Sequence, residues 1–218
     1  MLQMIQKNVF AILLFSFTML LANQPSFDCT KVKKDSSEGA ILGETTSKDE
    51  KYSFQKTLSL LGLSFEIKTR GEGSLRQLTI ISQGLSGVNE IVNKEIDGMV
   101  VGAEVADLNK DGFAEVYVYV ASSGSGSYGS LVAYSSNQNK SMTSIYLPEL
   151  NDNKKLSQGY MGHDQFSIVE SSLERRFPIY NKNDSNANPT GGTRILTYKL
   201  VSGEATWKLK LINSLEIK

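Results

Sequence analysis

The chain is nearly empty of the side chains that most enzyme chemistry uses. Its 218 residues include one histidine, His163, one cysteine, Cys29, and one tryptophan. A catalytic triad or a His-rich zinc site needs histidine with partners, and a thiol nucleophile needs a neighbouring base. No Gly-x-Ser-x-Gly elbow is present, and nothing singles out a pair of carboxylates for glycoside hydrolysis. The reading is therefore a non-enzyme. A lone cysteine also excludes an internal disulfide, so an apolar core must hold the domain together. Excess charge of either sign is missing too: 23 basic residues balance 23 acidic ones. A neutral chain lacks the basic face that binds nucleic acid by counterion release, and it lacks a polybasic membrane anchor.

One apolar run opens the chain. Residues 9–22 (VFAILLFSFTMLLA) follow Lys7 and end in Ala22. At 14 residues the run is short for a hydrocarbon core of about 30 Å. It reads as a secretory signal peptide, 1–22, cut after Ala22, with a retained anchor as the alternative. The expected location is the periplasm, with no membrane attachment after cleavage. Cys29 follows Ser26-Phe27-Asp28, which does not fit a lipid-attachment box, so a free or intermolecularly paired thiol is expected. Residues 23–51 are polar and aperiodic and read as a linker or disordered tail.

From residue 52 the pattern changes. In "LSLLGLSFEIKTR" (58–70), Leu63, Phe65 and Ile67 alternate with Ser64, Glu66 and Lys68. Further short runs rich in Val, Ile, Tyr, Phe and Thr follow at 75–82, 98–107, 113–121, 130–136, 142–150, 165–171, 175–181, 193–201 and 205–213. Gly, Asn, Asp and Ser separate them, and no run keeps a helical period. The expectation is one all-β domain, 52–218, an antiparallel β-sandwich-like fold with a protruding hairpin loop.

Two loops could carry chemistry. In "DLNKDGFAE", Asp107, Asn109, Asp111 and Glu115 occupy positions 1, 3, 5 and 9 of a calcium-loop pattern, with Gly112 at the sharp turn. Position 12 is Val118, so an EF-hand is excluded. A shorter calcium loop between strands and a turn capped by its own Asp and Asn remain as alternatives. The second loop is "SSGSGSYGS" (122–130), set between "EVYVYVA" and "LVAYS". A tyrosine among glycines and serines can be a binding anchor, because it offers a broad face and one polar tip. It can also be an incidental aromatic on a solvent loop.

The stretch "EIDGMVVGAEVADLNKDGFAEVYVYVASSGSGSYGSLVAYS" resembles the periplasmic inhibitors of invertebrate-type lysozyme. So does "GYMGHDQFSIVESSLERRFPIYNKNDSNANPTGGTRILTYKLVSGEATW". The resemblance covers most of the chain from about residue 60, and the region before residue 55 is outside it. It implies an all-β fold and a homodimer. The family's S-G-x-Y motif falls here on Ser125-Gly126-Ser127-Tyr128. The resemblance implies that this loop enters the lysozyme cleft, where the serine and tyrosine hydroxyls meet the catalytic carboxylates. Arg194, in the second Gly-rich loop "PTGGTR", either flanks that contact or holds an acid within the chain. His163, with Tyr160 nearby in "GYMGHD", either joins the contact or is a hydrogen-bonding turn residue. The expected function is an exported lysozyme inhibitor that protects peptidoglycan and evades host defence. The alternative is a calcium-containing β-rich exported binding module for a glycan or another protein. No cofactor is expected beyond that calcium.

Overall fold

The structure, a computed structural model, describes residues 51–218. The expected signal peptide, Cys29 and nearly all of the 23–51 segment lie outside the described residues. The described residues form an all-β domain of twelve strands with one short 3-10 turn, Leu150–Asp152. Two sheets carry it. The first, in spatial order, holds β1 (Phe54–Leu60), β2 (Leu63–Arg70), β3 (Leu75–Gln83) and β4 (Ile91–Asp97). The second begins with β5 (Met99–Ala106), β6 (Glu115–Ala121), β7 (Gly129–Ser136) and β8 (Met142–Tyr146). It continues through β12 (Trp207–Ile217), β11 (Thr193–Ser202), β10 (Ser172–Pro178) and β9 (Gln165–Val169). Every pairing is antiparallel except a two-residue parallel contact between β8 and β12.

The local sequence explains where the strands depart from expectation. Residues 58–70 make parts of two strands rather than one. Leu60 pairs with Leu63, leaving a two-residue turn in which Leu61 (φ 49°) and Gly62 (φ 82°) are both left-handed. That is the hairpin turn whose twist matches the strands, but leucine at its first position hides it in the sequence. Strand β4 was not expected at all. Asn93, Lys94 and Glu95 break its apolar alternation because β4 is a mostly exposed sheet edge, and charge on an edge deters pairing with other chains. The run at 142–150 stops being strand at Tyr146, two residues before Pro148.

Strand β6 explains the architecture. Its sequence EVYVYVA is apolar at every interior position, and six of its seven residues are buried. Val116, Val118 and Val120 point into a core shared with Phe65 and Ile67 of β2 and Leu78 and Ile80 of β3. Tyr117 and Tyr119 point the other way, into a core with Leu173, Phe177, Leu196 and Leu209. Successive residues of a strand face opposite sides, so the Val/Tyr alternation fills two cores at once. The second core is wrapped by the eight-stranded sheet itself. Its terminal strands meet through one side chain: Glu104 of β5 accepts from the Ile168 N–H of β9 at 2.9 Å and from the Tyr119 hydroxyl. The β6–β7 loop leaves one end of β6 and the β5–β6 loop enters the other. Six residue steps separate them, roughly 20 Å.

Candidate functional site

The β6–β7 loop closes on itself. The Ser122 N–H donates to the Tyr128 carbonyl at 2.9 Å, and the Tyr128 N–H donates back to the Ser122 hydroxyl at 2.9 Å. Inside that closure the Ser127 N–H donates to the Gly124 carbonyl at 3.0 Å, with Ser127 held left-handed at φ 42°. The loop presents Ser123, Gly124 and Ser125 to solvent, with Tyr128 49% exposed, while Gly126 is buried beneath them. Neither the Ser125 nor the Tyr128 hydroxyl has a hydrogen-bond partner among the described residues. Two neutral groups, each able to donate and accept, are thus displayed unspent on one tip.

The loop is braced from below by residues distant in sequence. The Gly126 carbonyl accepts the His163 N–H at 2.6 Å, and the Ser125 carbonyl accepts from the Asn186 side-chain amide at 2.7 Å. The Gly129 N–H donates to Asp164 Oδ2 at 2.7 Å. Asp164 is fully buried as a side chain and pairs with Arg175 of β10 at 2.7 Å. Tyr160 completes the group. Its hydroxyl donates to Asp164 Oδ2 and accepts from Arg175 Nη2 at 2.8 Å. Burial, then the bond to Asp164, pushes the Tyr160 phenol well above its ordinary pKa, so it stays a donor. Its ring meets Tyr128 edge-on at 5.5 Å between centroids and Phe177 at 4.7 Å. The exposed tyrosine therefore stands on an aromatic stack anchored by a buried ion pair.

The expected site residues divide. Ser125, Gly126, Ser127 and Tyr128 lie together on the tip. His163 sits directly under it, left-handed at φ 57°, with its Nε2 3.2 Å from Asn186 Oδ1. It supports the loop as a hydrogen-bonding turn residue. Arg194 is turned inward and 5% exposed. Its guanidinium donates to the Leu156 carbonyl, to the Gln158 carbonyl at 2.9 Å and to Glu216 at 2.6 Å. Of the two readings of Arg194, the structure has the one that holds an acid within the chain. Sequence reasoning gave no role to Arg175 or Asn186, and considered Asp164 only as a neighbour that could pair with His163. One signal was readable for Arg175: it falls in register between Leu173 and Phe177, on the inward face of β10.

The second cluster lies at the far end of β6. One oxygen from each of Asp107, Asp111 and Glu115 falls within 4.8 Å of the others. Asp107 accepts the Asp111 and Gly112 N–H groups at 3.0 Å each, Asp111 accepts the Phe113 N–H at 2.9 Å, and Asn109 bonds Asp111 at 2.8 Å. The capping pattern of a tight turn is therefore present. It does not account for Glu115, which is 0% exposed. Glu115 Oε2 accepts the Leu108 N–H at 2.8 Å, while Oε1 has no partner among the described residues. Burial, with the two nearby aspartates adding to it, pushes the Glu115 carboxyl up to about 8.

Fold and site together define an all-β domain that displays a braced Ser/Tyr loop. Comparison with protein-family models, curated proteins and solved structures returned no match.

Proposed function

We propose that the chain is an exported inhibitor of invertebrate-type lysozyme and that the loop Ser125-Gly126-Ser127-Tyr128 plugs the enzyme's active-site cleft. The resemblance of the two long sequence blocks motivates this reading. The observation that carries it is the exposed tip whose Ser125 and Tyr128 hydroxyls are unpartnered while its backbone is tied down. A lysozyme cleft holds one protonated and one ionised carboxyl group. Hydroxyls donate to the ionised group and accept from the protonated one, and a neutral pair has no charge to strip of water on insertion. Bracing by His163, Asp164 and Asn186 means the loop is ordered before it binds, which lowers the entropy lost on association. In this reading the protein catalyses nothing, acts in the periplasm and functions as a homodimer.

The test is lysis of a peptidoglycan suspension by purified invertebrate-type, chicken-type and goose-type lysozymes, each titrated with the protein. Stoichiometric inhibition of the invertebrate type alone is expected. Tyr128→Ala should lose about 2–4 kcal/mol of binding, the range of an interface hot spot, on the order of 100-fold in Kd. An unaffected invertebrate-type lysozyme, or a Tyr128→Ala protein as potent as the parent, would falsify the assignment. Sedimentation of the protein alone reads the dimer, and a monomer at working concentration overturns that part.

A further inference from the structure

We infer that the β5–β6 loop is a calcium site in which Asp107, Asn109, Asp111 and Glu115 supply oxygen ligands to one Ca2+. An acidic turn alone would not carry this. Glu115 does, because it is wholly buried at the first position of β6 and one carboxylate oxygen is left bare. Oε2 accepts the Leu108 N–H, but a buried carboxylate oxygen left without a partner, as Oε1 is, is unfavourable. Among the described residues no lysine or arginine forms an ion pair with Asp107, Asp111 or Glu115. Directly across the strand pair, Ser135 is also fully buried with an unpaired hydroxyl. A cation at the turn compensates the crowded negative charge and gives the orphaned oxygen a partner.

The geometry suits calcium. Ca2+ binds oxygen at about 2.4 Å, so opposed ligands stand about 4.8 Å apart, and the three acidic oxygens lie within 4.8 Å of one another. The backbone N–H bonds to Asp107 and Asp111 use one lone pair of each oxygen and leave others to ligate. They also fix the carboxylates in place before a cation arrives. An all-oxygen set without His or Cys selects a hard cation over zinc or copper. Several protein ligands from one loop fit Ca2+ better than Mg2+, which keeps most of its waters. The site is roughly 20 Å along β6 from the Ser125–Tyr128 tip, so the inference does not depend on the lysozyme reading.

The chain supplies its own probe. Trp207, the single tryptophan, lines a hollow of about 450 Å³ together with Asp111 and Phe113. After chelation, the full-length protein is titrated with Tb3+ while Trp207 is excited, then with Ca2+ and Mg2+ in competition up to about 10 mM, which covers the affinity of extracellular calcium modules. The expected result is sensitised terbium emission that Ca2+ abolishes at far lower concentration than Mg2+. A rise in Tm with Ca2+ should accompany it. Glu115→Gln replaces a carboxylate oxygen by an amide group of nearly the same shape, so it should fold. It should bind Ca2+ at least about tenfold more weakly, since even outer-shell partners of a metal matter that much. Asp107→Asn should do the same. No calcium-dependent change in emission or Tm, equal competition by Mg2+, or unchanged calcium affinity in Glu115→Gln and Asp107→Asn overturns the inference.

Discussion

Tyr128 is exposed, yet it is not free. Its ring leans on Tyr160, its N–H is tied to Ser122, and the buried Gly126 lies against it. Gly126 has no room for a side chain, since a Cβ there would stand 2.5 Å from Tyr128 Cε2 and 3.0 Å from the Met161 carbonyl. Adding that single methyl group should push the Tyr128 ring off its stack while leaving the two cores untouched. Gly126→Ala is therefore expected to keep its Tm within a few degrees and to lose inhibition as Tyr128→Ala does. Thermal unfolding beside the lysis assay reads both quantities. Full inhibitory potency in Gly126→Ala would show that the Tyr128 orientation is irrelevant. The motif residues themselves were visible in the sequence, because they are contiguous and the resemblance falls on them, whereas composition alone left the tyrosine open between a binding anchor and an incidental aromatic. Their supports were not. Asp164 and Arg175 are 11 positions apart and Asn186 is 61 from Ser125, and no local pattern links them.

At the scale of elements, the loop is held by three segments that meet at one end of the eight-stranded sheet. Asp164 is the joint. It accepts from Gly129 at the start of β7, from Tyr160 and from Arg175 of β10. Removing one partner of a buried pair leaves the other charged and unpaired. Asp164→Ala should thus cost about 3–5 kcal/mol, a fall in Tm on the order of 10 °C for a chain of this size. Amide exchange should speed up first at Gly129 and around Ser125–Tyr128, where the bracing bonds are lost. A Tm unchanged by Asp164→Ala would mean the ion pair contributes nothing to the loop. The segment 181–190 carries the other support, Asn186. Asp184 closes it by accepting the Asn181 and Thr190 N–H groups at 2.7 and 2.8 Å. These bonds hold the Asp184 carboxyl below its ordinary pKa, the Asn181 N–H most of all. A carboxylate with a lowered folded pKa stabilises above its unfolded value and loses that contribution as pH falls through the folded one. Protection of the Thr190 amide, its exchange rate referred to the intrinsic rate at the same pH, should accordingly fall in acid below the ordinary aspartate range, and a pH-independent protection factor would contradict it.

Across the whole molecule, β6 belongs to both cores, and this couples them. Ile67 in the first core and Leu196 in the second are each fully buried, and truncating either to alanine should cost about 2–5 kcal/mol. Because the shared strand must leave both cores together, both variants are expected to unfold in one transition with a lowered midpoint. Calorimetry of Ile67→Ala and Leu196→Ala decides it. A second, separate transition in either would show that the cores fold independently. The same strand keeps the two candidate sites apart, one at each end, so a change at Glu115 reaches Tyr128 only through the stability of β6.

The sequence by itself determined the class of fold, because period-two alternation and turn residues are written locally and need no partner to be read. It also determined which two loops hold the chemically notable residues, because Ser125-Gly126-Ser127-Tyr128 and Asp107–Glu115 are contiguous. The tertiary structure alone decided which of the remaining residues serve those loops. Arg194 turned inward to Glu216, His163 came beneath Gly126, and Glu115 was carried into the interior with one oxygen bare. Each of these depends on strand order and register, which bring together residues that are far apart along the chain, and a pairing of that kind leaves no trace in local composition.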